Sequence, residues 1–215
     1  MTTPLRQVFL IRHPKPDIAP GICYGSSDIQ PIPEALQAAY SQLDGILPSQ
    51  AQIISSPLAR CAQLAALLSK DGGREGAARP CILDARLAER CCGAWELQTW
   101  EQVLPWQHAQ HQQVPRAELD AWAADFMDYA APGAESVRHM QARVLAGWAD
   151  YSGPSELPTR VLITHAGPIQ VLLAHLTGVE LSANPIAEVA CGSVVLLTLT
   201  GGSWGFEIIA RLYDE

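Results

Sequence analysis

The stretch VFLIRHP, residues 8–14, combines an apolar run with an abrupt polar end. Residues 8–11 are all apolar, and the run stops at Arg12 and His13. A short apolar run bounded in this way is typical of a strand that is buried on both faces of a parallel sheet. The sequence therefore predicts that chemistry begins at the carboxyl end of this strand.

The same arrangement occurs twice more and predicts an α/β fold. Residues 53–57, IISSP, precede a helical pattern at 58–68, and residues 161–168, VLITHAGP, precede a second helical pattern at 169–176. Ligands of open α/β sheets collect at the carboxyl ends of the strands. The side chains expected to project there are those of Arg12, His13, Ser56 and His165.

The remaining patterns predict a closing hairpin and a helical cap. Residues 194–199 and 206–210 are mostly apolar and flank two glycines, which is typical of a hairpin, and a helical pattern covers residues 135–148. Four of the six tryptophans lie between residues 93 and 132, where two helical patterns and no obvious strand occur. We predict one domain, residues 1–215: a three-layer α/β/α sandwich with a mostly parallel central sheet and a helical cap insertion at about 93–132.

Composition argues against several classes of protein. A net charge of −8 with only 14 Lys plus Arg disfavours nonspecific nucleic-acid binding. No apolar run reaches the roughly 18 residues that span a bilayer, and the N-terminus lacks a signal peptide, so a cytoplasmic protein is expected. The six cysteines are expected to be reduced, and without a C-x-x-C pair no metal site is expected. No cofactor is expected. The sequence does not define the oligomeric state, and a homodimer is compatible with it.

The polar residues at the strand ends suit the handling of a phosphate monoester. Such a substrate carries two negative charges, and its peripheral oxygens must be held while the bond to the leaving oxygen breaks. Arginine donates paired hydrogen bonds and stays charged, whereas a neutral imidazole can act as a nucleophile. The candidates for this set are Arg12, His13, Arg60, Glu89 and His165.

Five stretches, in this order, resemble the motifs of one known family. They are LIRH (10–13), SSPLARCAQ (55–63), LAERCCGAWE (87–96), GAES (133–136) and THAGPI (164–169). The family is the histidine phosphatase superfamily, whose members include cofactor-dependent phosphoglycerate mutases, fructose-2,6-bisphosphatases and α-ribazole phosphatases. A sixth stretch, CYGSSD (23–28), looks like a segment of the α-ribazole phosphatase-like branch.

The resemblance implies a role for each candidate residue. His13 is implied as the nucleophile and Glu89 as the proton donor, while Arg12, Arg60 and His165 bind the phosphoryl oxygens. The sequence departs from the family at Pro14, which stands where a glycine is usual and lacks a backbone N–H, and at Ala166. Candidate substrate-binding residues are Lys15, Tyr24, Gly25, Ser26 and Trp95.

The charge of the predicted cap favours a monophosphate whose remainder is neutral or apolar. Between residues 91 and 137, Arg116 is the only Lys or Arg, against seven carboxylates. A mutase that binds bisphosphates would need further cations here, whereas tryptophans suit a nucleotide-like or aromatic group. α-Ribazole 5'-phosphate, an intermediate of cobalamin nucleotide-loop assembly, fits this description. Two alternatives stay open: phosphoglycerate mutase-type phosphoryl transfer, and a phosphate-binding protein with weakened catalysis.

Overall fold

The computed structural model describes residues 6–70, 78–103, 125–153, 159–182 and 185–212. The strands are β1 (Arg6–Arg12), β2 (Ile22–Cys23), β3 (Ala51–Ser55), β4 (Cys81–Leu83), β5 (Gln98–Thr99), β6 (Thr159–Thr164), β7 (Ser193–Thr200) and β8 (Ser203–Arg211). The α-helices are α1 (Pro33–Ile46), α2 (Ala59–Lys70), α3 (Trp100–Val103), α4 (Val137–Tyr151) and α5 (Ala166–Thr177). Single 3₁₀ turns lie at Ala85–Leu87 and Gly93–Trp95.

The central sheet has six strands in the order β4-β3-β6-β1-β7-β8. The first four are parallel to one another, β7 is antiparallel to β1, and β8 is antiparallel to β7. The prediction of a mostly parallel sheet within an α/β fold is confirmed. The predicted closing hairpin is also present, because β7 and β8 are joined through the two glycines.

Alternation along the strands builds the two outer layers. Val8 and Leu10 pack on one face of the sheet with α4 and α5, whereas Phe9 and Ile11 pack on the other face with α1 and α2. Successive side chains of a strand point to opposite faces, so an apolar run can bury both faces at once. This burial fixes the strands, and with them the polar residues that follow.

The helices follow the predicted patterns with shifted ends. The helix predicted at 135–148 is α4, which begins at Val137 because the Ser136 side chain accepts a hydrogen bond from the backbone N–H of His139 at 3.2 Å. The helix predicted at 169–176 is α5, which begins directly after His165. Neither α1 nor the edge strand β4 was among the predicted elements.

The region predicted as a cap contains a strand, so the expectation of no strand there is wrong. β5 pairs antiparallel with β2, a partner more than 70 residues earlier that no local pattern reveals. The rest of the described cap is the 3₁₀ turn Gly93–Trp95, the helix α3 and turns at 125–132. Residues 104–124 of the cap lie outside the described residues, as do 71–77 and 154–158 of the predicted connections.

Among the described residues, no helix is both long enough and apolar enough to cross a bilayer.

Candidate active site

The carboxyl ends of three parallel strands bring the predicted polar residues together. His13 follows β1, and its backbone N–H donates to the Thr164 carbonyl on β6 at 2.9 Å. Ser56 follows β3 and donates in the same way to Ile163 at 2.9 Å. The register therefore aligns these ends with His165, whose ring centroid lies 5.1 Å from that of His13.

The protonation pattern of His13 follows from its one ring contact with the backbone. Nδ1 lies 2.7 Å from the Pro14 carbonyl oxygen, which can only accept, so Nδ1 carries the proton and Nε2 keeps a free lone pair. Burial, followed by the charges of Arg60 and Arg12, holds the pKa of His13 well below its usual range. A neutral imidazole with a free Nε2 can act as a nucleophile at neutral pH. Pro14 thus lacks the usual N–H but orients the ring through its carbonyl.

His165 is the second buried imidazole. Its Nε2 lies 2.8 Å from Ser56 Oγ, which itself accepts from the backbone N–H of Leu58 at 3.3 Å. The Ser56 hydroxyl is then free to donate to Nε2, which leaves the proton on Nδ1. Within the described residues Nδ1 is buried without a hydrogen-bond partner, so it can donate to an anion. Burial first, and the nearness of the other titratable ring of His13 second, lower the pKa of His165 well below its usual range.

Arg60 is fully buried and joins this site to the turn before α1. Its Nη1 donates to the Ser27 carbonyl at 2.8 Å and its Nη2 to the Gly25 carbonyl at 2.7 Å. The guanidinium also lies over the Tyr24 ring, 5.1 Å from the centroid. Arg60 is therefore both a cation beside His13 and an anchor of residues 25–27.

Arg12 completes the positive charge. Its Nη1 donates to the Val189 carbonyl at 2.6 Å, and its side chain also hydrogen-bonds to Tyr24. Burial raises the pKa of Tyr24, so the phenol stays neutral between the two arginines. Arg12, Arg60 and His165 each keep one buried nitrogen that has no hydrogen-bond partner among the described residues. These nitrogens are Arg12 Nε, Arg60 Nε and His165 Nδ1. We call His13, His165, Arg12 and Arg60 the histidine–arginine cluster; its donors and charge suit a bound dianion.

Glu89 approaches this cluster from the loop after β4. Its Oε2 accepts from the backbone N–H of Gly167 at 3.2 Å, and its Oε1 from that of Arg90 at 3.0 Å. Gly167 lies in the first turn of α5. A Cβ atom at position 167 would overlap Glu89 Oε1 and lie 3.0 Å from Met140 Sδ. The glycine thus leaves the space in which the carboxylate lies.

The candidate substrate-binding residues fall into two groups. Tyr24 lies beside His13, with ring centroids 6.5 Å apart, and Gly25 is held by Arg60. Ser26 donates through both its N–H and its Oγ to Glu96 Oε1, each at 2.9 Å. Of the other two candidates, Lys15 is exposed, and Trp95 packs against Tyr129 with ring centroids 5.9 Å apart.

Glu96 is a residue whose role the sequence did not reveal. Its carboxylate also accepts from the Ser27 hydroxyl and, at 2.8 Å, from the backbone N–H of Cys92. These hydrogen bonds stabilise the carboxylate and lower the pKa of Glu96 although burial opposes the shift. Glu96 therefore ties the turn at residues 24–27 to the start of the predicted cap.

All six cysteines are free thiols. The described residues contain no group of three or more His, Cys, Asp or Glu side chains arranged to hold a metal ion.

We expect the free energy of unfolding to fall as the pH drops below about 6.5. Below this pH the unfolded chain binds protons at His13 and His165, whereas the folded chain does not, because folding lowers the pKa of both histidines. The contribution is fully present above pH 6.5, and below it the loss reaches about 1.4 kcal/mol per pH unit for each histidine. Urea unfolding between pH 4.5 and 7.5 measures the slope. His13→Asn should remove about half of it, and an unchanged slope would contradict the burial argument.

Comparison with known proteins agrees with this geometry. The family model of the histidine phosphatase superfamily (branch 1) matches residues 8–211. No curated protein matches the chain in sequence. Among solved structures, a mycobacterial glucosyl-3-phosphoglycerate phosphatase is 25% identical with a TM-score of 0.71, covering 95% of this chain and 98% of that chain.

Two further solved structures share the fold at lower identity. Bacillus stearothermophilus YhfR is 22% identical with a TM-score of 0.75, covering 97% of this chain and 100% of that chain. The α-ribazole phosphatase of Shigella flexneri is 18% identical with a TM-score of 0.72, covering 94% of this chain and 95% of that chain.

Proposed function

The chain belongs to the histidine phosphatase superfamily, branch 1, and is a phosphatase, and from this premise we propose that it hydrolyses phosphate monoesters through a phosphohistidine at His13. The observation that carries the proposal is the neutral His13 ring, whose Nδ1 donates to Pro14 while Nε2 stays free beside Arg12 and Arg60. The reaction is metal-independent in this proposal, because guanidinium groups supply the positive charge around the phosphoryl oxygens.

In the first step, the lone pair of His13 Nε2 attacks phosphorus and forms an N–P bond. The bond from phosphorus to the leaving oxygen breaks, and the protonated carboxyl of Glu89 gives its proton to that oxygen. The unpartnered nitrogens of Arg12, Arg60 and His165 donate to the three peripheral oxygens. Such donors are commonly worth about 3 to 4 kcal/mol each in the transition state.

In the second step, water attacks the phosphorus of the phosphohistidine. Glu89, now ionised, accepts a proton from this water as the P–O bond forms. The N–P bond breaks, its electron pair returns to His13 Nε2, and inorganic phosphate leaves. The site then holds the protonation states with which it began.

We propose a small monophosphate with a neutral or apolar leaving group, such as α-ribazole 5'-phosphate, as the substrate. The acidic balance of residues 91–137 and the CYGSSD stretch at 23–28 support this class. The glucosyl-3-phosphoglycerate phosphatase with 25% identity favours a second candidate, an anionic glycerate derivative.

A comparison of kcat/KM values separates these candidates. The purified protein is assayed with α-ribazole 5'-phosphate, glucosyl-3-phosphoglycerate and 3-phosphoglycerate. We expect the highest value for α-ribazole 5'-phosphate and weak activity on both glycerates. Efficient hydrolysis of glucosyl-3-phosphoglycerate would support the second candidate instead. Efficient mutase turnover of 3-phosphoglycerate would overturn the charge argument, and binding of phosphate without turnover would overturn the proposed reaction.

We expect Glu89→Gln to lower kcat/KM in a way that depends on the leaving group. For an alkyl phosphate, whose alkoxide needs a proton, the expected fall is about 10²- to 10⁴-fold. For 2,4-dinitrophenyl phosphate, whose leaving group is stable as an anion, the fall should be small. The matched control is Glu34→Gln on the exposed first turn of α1, which should leave both values unchanged. Equal losses on both substrates would remove Glu89 from the role of proton donor.

A further inference from the structure

The side chain of Arg143 on α4 binds the backbone of the loop that carries Glu89. Its Nη1 donates to the carbonyl oxygens of Arg86 at 2.9 Å and Ala88 at 2.7 Å. Its Nη2 donates to the carbonyl oxygen of Glu89 itself at 3.2 Å. Three backbone carbonyls within four residues thus converge on one guanidinium.

The remaining N–H groups of Arg143 bind Glu135. Nε donates to Glu135 Oε1 and Nη2 to Oε2, each at 2.7 Å. All five N–H groups of the guanidinium are then used, which fixes its plane relative to the loop. A lysine offers three donors on a flexible stem and cannot form this planar set.

Glu135 holds the same loop on the far side of Glu89. Its backbone N–H donates to the Cys91 carbonyl at 2.9 Å. The peptide groups before and after Glu89 are therefore both attached to the pair formed by Arg143 and Glu135. Between these attachments, the Glu89 carboxylate reaches the N–H of Gly167 at 3.2 Å.

The ion pair of Arg143 and Glu135 is mostly buried, unlike a typical surface ion pair. The side chains of Arg143 and Glu135 are 22% and 19% exposed, whereas the neighbouring pair Arg138 and Asp128 is 58% and 50% exposed. Arg143 also contributes to lowering the pKa of His165, which places its charge near the histidine–arginine cluster. Arg138 therefore offers a matched control on the same helix.

We propose that Arg143, oriented by Glu135, is a positioning residue that holds Glu89 where it can protonate the leaving oxygen. The proposal rests on the role assigned to Glu89 above. Arg143 does not itself touch the reacting atoms; it acts through the backbone of residues 86–89. A displacement of a proton donor by about 1 Å can cost on the order of 10²-fold in rate.

The test is the dependence of kcat/KM on the leaving group, because kcat/KM reports phosphoryl transfer to the enzyme and not the later hydrolysis. We expect Arg143→Gln to lower kcat/KM about 10- to 100-fold for an alkyl phosphate and less than about 3-fold for 2,4-dinitrophenyl phosphate. Glu135→Gln should show the same selectivity with a smaller loss. It also serves as the test variant should Arg143→Gln not fold.

Two controls separate positioning from general damage. Arg138→Gln should leave both values unchanged, since the side chain of Arg138 pairs with the exposed Asp128. In a Glu89→Gln background, Arg143→Gln should cause little further loss, because the group that it positions is already gone.

The outcomes distinguish failure of this inference from failure of the proposed function. Equal losses of Arg143→Gln on both substrates, with Glu89→Gln still selective for the alkyl phosphate, would show a merely structural role for Arg143. Should Glu89→Gln itself lack this selectivity, the proposed role of Glu89 fails and the inference fails with it. Selective loss in both variants, without additivity, supports the positioning role.

Discussion

His13→Asn should lower kcat by about 10⁴-fold or more on any phosphate monoester, since the variant has no group that can form the N–P bond. Asparagine keeps a polar side chain but has no nucleophilic nitrogen. The loss is expected to be similar for alkyl and dinitrophenyl phosphates, in contrast to the selective loss in Glu89→Gln. Steady-state hydrolysis measures the loss, and acid-labile ³²P on quenched enzyme measures the intermediate.

The matched control is His175→Asn, the same substitution at an exposed histidine of α5. It should keep both the rate and the phosphoenzyme. Labelled protein recovered from His13→Asn in the amount found for the wild type would place the nucleophile elsewhere. Loss of label with retained hydrolysis would instead indicate direct attack by water.

Arg60→Lys is also expected to cause a large loss, about 10²- to 10³-fold in kcat/KM. The lysine keeps a positive charge but cannot hold the carbonyls of Gly25 and Ser27 while it donates to a phosphoryl oxygen. A buried carbonyl without a donor costs about 1–3 kcal/mol, so the free energy of unfolding should fall as well. Kinetics and urea unfolding of the same preparation measure the two effects.

Arg79→Lys is the control for burial alone. Arg79 is 2% exposed and, like Arg60, binds backbone carbonyls. Its guanidinium donates to those of Leu47, Pro48 and Leu68, near the C-terminal end of α2. Its substitution should lower stability to a similar extent but leave kcat/KM within about 3-fold of the wild type. Similar kinetic losses in both variants would mean that Arg60 acts through stability only.

Local patterns were sufficient to predict the parallel strands β1, β3 and β6 and the polar residues that follow them. The runs before His13 and His165 are apolar on both faces, and burial of both faces fixes such strands in a parallel sheet. Because parallel strands end at the same edge, two histidines more than 150 residues apart in sequence lie with rings 5.1 Å apart. The two histidine rings are therefore close because the strands that precede them are parallel.

Features that depend on distant partners could not be predicted in this way. β4 has three exposed residues and pairs only along one edge, so it shows no burial pattern. β5 exists because β2 pairs with it, and Arg143 binds backbone carbonyls that carry no mark in the sequence. The orientation of His13 by Pro14 could not be predicted either, because the group that binds Nδ1 is a backbone carbonyl, which every residue has.

The dual attachment of Arg60 has a consequence for how this enzyme can change during evolution. One guanidinium lies beside His13, the proposed nucleophile, and also binds the carbonyl groups of residues 25 and 27, so we expect a mutation that reshapes this turn to affect catalysis as well. Mutations in the turn at residues 25–27 are therefore expected to change substrate selectivity and rate together. Residues that do not contact Arg60 are free of this linkage and can vary independently.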